Sequence, residues 1–144
     1  MITIEEALRI ALEAHEGQKD LDGNPVILHP MTVALAGRNR QEQIAGLLHD
    51  VVEDTDVTIE DLEKEFPSEV TEAVKLLTHA DNVDYFDYIR AVKRNRVAKT
   101  VKLADLHHNS DISRITDIKK RISDKTMERM QKYAEAEKIL TEAD

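Results

Sequence analysis

The chain has 144 residues, enough for one domain with a core of its own and too few for two catalytic domains. Hydrophobic residues make up 41% and aromatic residues 3%, a balance that favours helices packed through Leu, Ile, Val and Ala over a β-sandwich. A formal net charge of −9 argues against nucleic acid as a partner, and the absence of cysteine excludes disulfides and thiolate metal ligands.

In chain order, the acidic start Met1 to Glu6 lacks the basic and apolar regions of a signal peptide, and no apolar run reaches bilayer length. The expected location is the cytoplasm, with no membrane partner. Thr3 caps a first amphipathic helix, Glu6 completes a capping box, and Ala7, Leu8, Ile10, Ala11 and Ala14 recur at helical spacing before an end near Gly17. Turn formers from Gln18 to Pro25 make a loop. His29-Pro30 opens a second helix that stops around Gly37. A central helix spans about Gln41 to Glu53. Thr58, with Asp61 three residues on, starts a short helix ending near Phe66-Pro67. Ser68 begins another, carrying Val70, Ala73, Val74 and Leu77. Tyr85 to Arg94 and Val97 to about His108 read as two more, and a last helix runs from roughly Ile118 to Leu140. No strand longer than Pro25-Val26-Ile27-Leu28 is readable. The expected fold is all-α, a single domain over residues 1–144.

At about 100° per residue, the central helix puts Ile44, Leu47, Leu48, Val51 and Val52 on one side and His49, Asp50, Glu53 and Asp54 on the other. Ala45 and Gly46 leave room above that polar face, although a glycine inside a helix costs roughly 1 kcal/mol relative to alanine. Three carboxylates and an imidazole repel one another unless a cation sits among them, which points to a metal site. Carboxylates near a helix C-terminus also oppose the helix dipole, so Glu53 and Asp54 are costly on structural grounds alone. His29 ends the loop before the second helix. Asp105, His108 and Asn109 share a helical face with Val101 and Ile112, where a buried carboxylate and amide need partners.

Singly, each of these residues reads as a hydrogen-bonded histidine or a solvated acid. Together, His29, then His49-Asp50, then Asp105 resemble the H…HD…D pattern of HD-domain metal-dependent phosphohydrolases. Ala14-His15-Glu16-Gly17-Gln18, Gly23-Asn24-Pro25, His29-Pro30, Leu47 to Thr55, and Lys102-Leu103-Ala104-Asp105 with Asn109 are similar to the hydrolase domain of the RelA/SpoT alarmone enzymes. The single-domain small alarmone hydrolases are nearest in size, and the resemblance spans roughly residues 5 to 112.

The resemblance implies an HD-domain helical bundle in which His29, His49, Asp50 and Asp105 bind Mn²⁺ or another divalent metal. It assigns Glu53 and Asp54 to activating and orienting a water, and Asn109 to a position near the substrate ribose. The reaction it implies is removal of the 3′-pyrophosphate from guanosine tetraphosphate or pentaphosphate. The sequence departs from the family at Asp20 and Leu21, which stand where an Arg-Lys pair contacts the nucleotide, and at Val26, where an aromatic often follows the proline. Two alternatives follow: an HD phosphohydrolase acting on another nucleotide or phosphoester, and a non-catalytic nucleotide-binding or oligomerising helical module. Arg90, Lys93, Arg94, Arg96, Lys99 and Lys102 cluster before Asp105, and Arg90 and Lys102 are the candidates for meeting substrate phosphates. Tyr85 and Tyr88 are candidates for packing or for the pocket wall. His107 and His108 stand behind the ligands or at the surface, and His15 and His79 carry no assigned chemistry.

Overall fold

The computed structural model describes residues 3–143; Met1, Ile2 and Asp144 lie outside the described residues, and with them the first part of the acidic start. The chain is all-α as expected. Among the described residues the only β-pairing is an isolated bridge between Lys19 and Pro25 that closes the loop after the first helix. No helix of the described residues is long and apolar enough to cross a membrane.

Helix α1 (Ile4–Ala14) starts at Thr3, whose hydroxyl accepts from the Glu6 N–H at 3.1 Å, and buries Ala7 and Ala11. Helices α2 (Leu28–Leu35) and α3 (Arg40–Leu48) follow, the latter capped by Asn39. Next come the short α4 (Val51–Asp54) and α5 (Ile59–Glu63), the second opened by a complete Thr58/Asp61 capping box. Helix α6 (Ser68–Leu77) begins directly after Pro67. Asp84 and Asn95 cap α7 (Tyr85–Lys93) and α8 (Arg96–Asn109). A 3-10 turn (Ile112–Arg114), α9 (Ile118–Arg121) and α10 (Asp124–Thr141) complete the described chain.

Helix α3 is the hub, packing on α1, α2, α6 and α8. Its Ile44, Ala45, Leu47 and Leu48 are buried, and each of the larger side chains contributes roughly 1.5–3 kcal/mol by leaving water. Gly46 has a different role from the expected one. A Cβ built there would lie 3.0 Å from Ala34 Cα and 3.1 Å from Ala34 N, so the missing side chain admits the backbone of α2 and opens no room above the polar face. That close approach brings the His29 and His49 rings to 5.2 Å between centroids.

Two expected helices are each interrupted. The central helix ends at Leu48, and a new one starts at Val51. The His49 imidazole donates from Nδ1 to the Gly46 carbonyl at 2.6 Å, taking the acceptor that the Asp50 N–H would use in an unbroken helix. Asp50, at φ −102° and ψ −2°, turns the chain between the two pieces. The last helix breaks at Ile122-Ser123, because the Ser123 hydroxyl accepts from the Thr126 N–H at 3.2 Å and caps α10.

Candidate metal centre and active site

Four elements deliver the candidate ligands. His29 is the second residue of α2, His49 and Asp50 form the break between α3 and α4, and Asp105 lies in the second half of α8. His29 Nε2 is 2.7 Å from Asp105 Oδ1 and 3.8 Å from Asp50 Oδ2. His49 Nε2 is 3.2 Å from Asp50 Oδ2 and 3.4 Å from Asp105 Oδ1. Ligand atoms of His29, His49 and Asp105 all fall within 4.8 Å of one another, as do those of Asp50, Glu53 and Asp54. All four sequence-predicted ligands therefore converge.

Whether this set suits a cation is decided at His49, which is only 2% exposed. Its Nδ1 must carry a proton, because the Gly46 carbonyl can only accept. In the neutral ring Nε2 then presents a lone pair, and it has no hydrogen-bond partner among the described residues. Burial works against a charged His49, yet Asp50 and Asp105 raise its pKa well above the usual value. Asp105 is the mirror case. Burial disfavours its charge, and Lys102 with the two histidines holds its carboxyl well below the usual range. Two fixed carboxylates around a buried lone pair are a field that attracts a positive ion as readily as a proton. Imidazole nitrogens and carboxylate oxygens, with no thiolate, suit a hard-to-borderline divalent metal.

The ligands are themselves held. His29 Nδ1 is 2.6 Å from His108 Nδ1, the two rings meeting edge to edge with their planes within 11° of each other. Burial, then the nearby Arg114 charge, pushes His108 down to about 4, so its neutral ring can accept from His29 Nδ1–H and leave His29 Nε2 for a ligand bond. Lys102 Nζ donates to Asp105 Oδ2 at 2.8 Å, and Asn109 Nδ2 donates to Asp105 Oδ1 at 3.0 Å. Burial works against the Lys102 charge, but Asp105 and Tyr88 more than offset it and raise its pKa.

Glu53 and Asp54 flank this centre on α4. The Glu53 carboxylate accepts the His79 backbone N–H at 2.7 Å, and the Asp54 carbonyl accepts from Gln18 Nε2 at 3.1 Å. Partial burial, followed by the nearby Asp50 charge, raises the pKa of both carboxyls, which makes each a better proton acceptor than a free acid.

These residues open onto a cavity of about 410 Å³. Lys102 and Asn109 line it, as does Glu53. Arg90 does not. It pairs with Asp87 at 2.8 Å on the exposed side of α7 and borders a separate groove against α10, because residue 90 falls on the face of α7 turned away from Tyr88 and Ile89. In its place the cavity has Arg114 from the 3-10 turn and Lys132 and Tyr133 from α10. None of the three sits in a motif. Lys132 Nζ rests 4.1 Å from the centre of the Tyr85 ring, whose hydroxyl is buried without a partner among the described residues. Asp20 also lines the cavity, and its Oδ1 accepts the backbone N–H groups of Asp22 and Asn24, both at 2.9 Å. Leu21 is 75% exposed and lies outside it.

Residues 7–113 match the HD domain family, a segment that contains every candidate ligand described above. Against the bifunctional (p)ppGpp synthase/hydrolase SpoT of Escherichia coli strain K12 the chain is 34% identical over 142 residues, covering 87% of this chain and 20% of that protein. Against a GTP pyrophosphokinase of Streptomyces coelicolor it is 39% identical over 119 residues, covering 74% and 14%. A guanosine-3′,5′-bis(diphosphate) 3′-pyrophosphohydrolase of Vibrio cholerae is 41% identical over 98 residues, covering 62% and 14%. The chain thus spans between 14% and 20% of the length of these relatives. Among solved structures, a metazoan ortholog of SpoT described as hydrolysing ppGpp and acting in starvation responses superposes with a TM-score of 0.75 at 27% identity, covering 98% of this chain and 86% of that one. The chain belongs to the HD-domain family, on a match that runs from α1 to the 3-10 turn.

Proposed function

We propose that the chain is a divalent-metal-dependent phosphohydrolase, with Mn²⁺ as its ion, that removes the 3′-pyrophosphate from guanosine tetraphosphate or pentaphosphate in the cytoplasm as one hydrolase domain over residues 1–144. The observation that carries this reading is His49 Nε2, a buried lone pair beside the carboxylates of Asp50 and Asp105. The substrate class is supported by the relatives, one named a 3′-pyrophosphohydrolase and one described as hydrolysing ppGpp.

His29, His49, Asp50 and Asp105 would hold the ion. When bound, it would lower the pKa of a water and polarise a phosphoryl oxygen. Glu53 and Asp54, with pKa values raised by burial, accept the proton that an attacking water gives up. Asn109 is oriented by its bond to Asp105 and offers its remaining groups to the ribose. Lys102 stays charged beside Asp105 and offsets phosphate charge at the cavity wall. Arg114 and Lys132 add cations that take the place assigned to Arg90.

Asp20 favours a second reading within the same chemistry, because a carboxylate on the cavity wall works against a polyphosphate and suits another nucleotide or phosphoester. Purified protein supplied with Mn²⁺ is expected to release pyrophosphate from ppGpp, and Asp105→Ala to abolish the release. Metal-loaded protein that leaves ppGpp intact but cleaves another member of a nucleoside phosphate panel would move the assignment to the second reading. Protein inert on the whole panel would return it to a non-catalytic nucleotide-binding module.

A further inference from the structure

The Ala14-His15-Glu16-Gly17-Gln18 stretch meets the site only through the Gln18 bond to the Asp54 carbonyl, and that bond is backed by His15. His15 is 3% exposed. Its Nδ1 lies 2.8 Å from Gln18 Oε1, and Gln18 Nε2 donates to the backbone carbonyl of Asp54, 36 residues away in sequence. The polarity of this chain of bonds is fixed from its far end. The Asp54 carbonyl can only accept, so the Gln18 amide turns its nitrogen towards it and its oxygen towards His15. His15 Nδ1 must then be the donor.

Backbone geometry sets the relay up. Gly17 sits at φ +79°, in the left-handed region, and reverses the chain so that the Gln18 N–H returns to the His15 carbonyl at 3.0 Å. The Gln18 carbonyl in turn accepts the Val26 N–H at 3.0 Å, so Gln18 is tied on both sides before its side chain reaches α4. Helix α4 is four residues long, too short to persist by its own hydrogen bonds, and its last carbonyls have no intrahelical partner. Gln18 supplies one such partner at Asp54, and the His79 N–H holds the neighbouring Glu53 carboxylate. A leucine at residue 15 would fill the same volume without stranding His15 Nε2, which has no partner among the described residues. What the imidazole adds over a leucine is the Nδ1–H donor.

We infer that His15 and Gln18 are positioning residues that set the direction of the Asp54 carboxylate by anchoring the end of α4. This rests on the assignment of Glu53 and Asp54 as the acid pair that handles the proton of the attacking water. Among the described residues neither the His15 nor the Gln18 side chain bonds to a candidate ligand, so the relay acts on turnover and not on metal or substrate affinity.

The test uses Gln18→Met and His15→Leu, which keep volume and remove the bonds, and His15→Asn, whose Nδ2 occupies the same place relative to the backbone as Nδ1 of histidine. Turnover of ppGpp, KM, Mn²⁺ affinity by titration calorimetry, and amide hydrogen exchange over residues 51–57 are measured for each. The expected result for Gln18→Met and His15→Leu is a fall in kcat on the order of 10- to 100-fold, with KM and Mn²⁺ affinity within about twofold of the parent and faster exchange confined to residues 51–57. His15→Asn restores most of kcat. Unchanged kcat in Gln18→Met overturns the inference, and so does a loss that Mn²⁺ affinity shares in full. If the parent protein does not turn over ppGpp, the substrate reading fails first and exchange decides the relay by itself. Faster exchange limited to residues 51–57 in Gln18→Met sustains the anchoring, and unchanged exchange there overturns it.

Discussion

Asp105 and Asp20 are both carboxylates on the wall of the same cavity, and they are held in opposite ways. Asp105 is 5% exposed, takes bonds from Lys102 and Asn109 on its own helix and lies 2.7 Å from His29 Nε2 on α2. Asp20 takes its recorded bonds from Asp22 and Asn24, two and four residues further along its own loop. Changing Asp105 disturbs two helices and strands a buried lysine, whereas changing Asp20 disturbs one turn. The candidate ligands on this cavity wall are therefore mutually dependent residues, whereas Asp20 is held by its own loop alone.

The largest effect is expected at Asp105. Asp105→Ala is expected to lower phosphohydrolase turnover by at least about 10³-fold, since the ion that we propose it helps hold would supply several kcal/mol. The same change leaves the Lys102 ammonium, only 13% exposed, without its carboxylate. Urea unfolding in the presence of a chelator should show a loss of about 3–5 kcal/mol, the usual result of breaking a buried pair from one side.

Next in size is Gly46→Ala. Its new methyl meets α2 backbone at 3.0 Å, and backbone cannot swing aside. We expect about 1–3 kcal/mol of destabilisation in chemical denaturation, with weakened Mn²⁺ affinity because α2 carries His29 and α3 leads into His49.

The same contrast explains what the sequence revealed. The α6, α7 and α8 segments follow from apolar residues at helical spacing, and the ligands are legible because a metal centre needs several donor types at once, which makes a lengthy pattern. The break at His49-Asp50 was hidden, because the periodicity of Leu47, Leu48, Val51 and Val52 passes through it undisturbed. It is caused by one side-chain bond to Gly46. The second break has a local signal, Ser123 three residues before Thr126, which the helical pattern from Ile118 overrode. Arg114, Lys132 and Tyr133 could not be found by pattern. They reach the cavity through the packing of α10 on α7 and α8, a long-range arrangement that no short motif encodes. Arg90 was misplaced for the converse reason, since closeness in sequence to Asp105 says nothing about which face of α7 it occupies.

Asp20→Asn sharpens the comparison at its weaker end. Asparagine keeps an oxygen for the Asp22 and Asn24 N–H groups and removes the charge. KM for ppGpp is expected to fall roughly two- to fivefold at low ionic strength, with the gain fading as salt is raised and with Mn²⁺ affinity unchanged. Steady-state kinetics at two salt concentrations checks this.

The smallest effect lies outside the cavity, at the α5 cap. The Thr58 N–H and hydroxyl hold the Asp61 carboxyl below the usual carboxylate range. Its folded pKa is thus lower than its unfolded one. Its contribution to stability is complete above the unfolded value and is lost as the pH falls through the folded one. Asp61→Ala should lower Tm slightly at neutral pH, and the difference from the parent should vanish in strong acid.

Hydrolysis depends, in the proposed function, on one cation site formed by His29, His49, Asp50 and Asp105. Stripping the purified protein with chelator and following pyrophosphate release from ppGpp as Mn²⁺ is added back tests it most directly. The expected result is no release from the stripped protein, recovery that tracks Mn²⁺ binding, and neither binding nor recovery in Asp105→Ala. Full release in the presence of chelator, or recovery in Asp105→Ala equal to that of the parent, would contradict it.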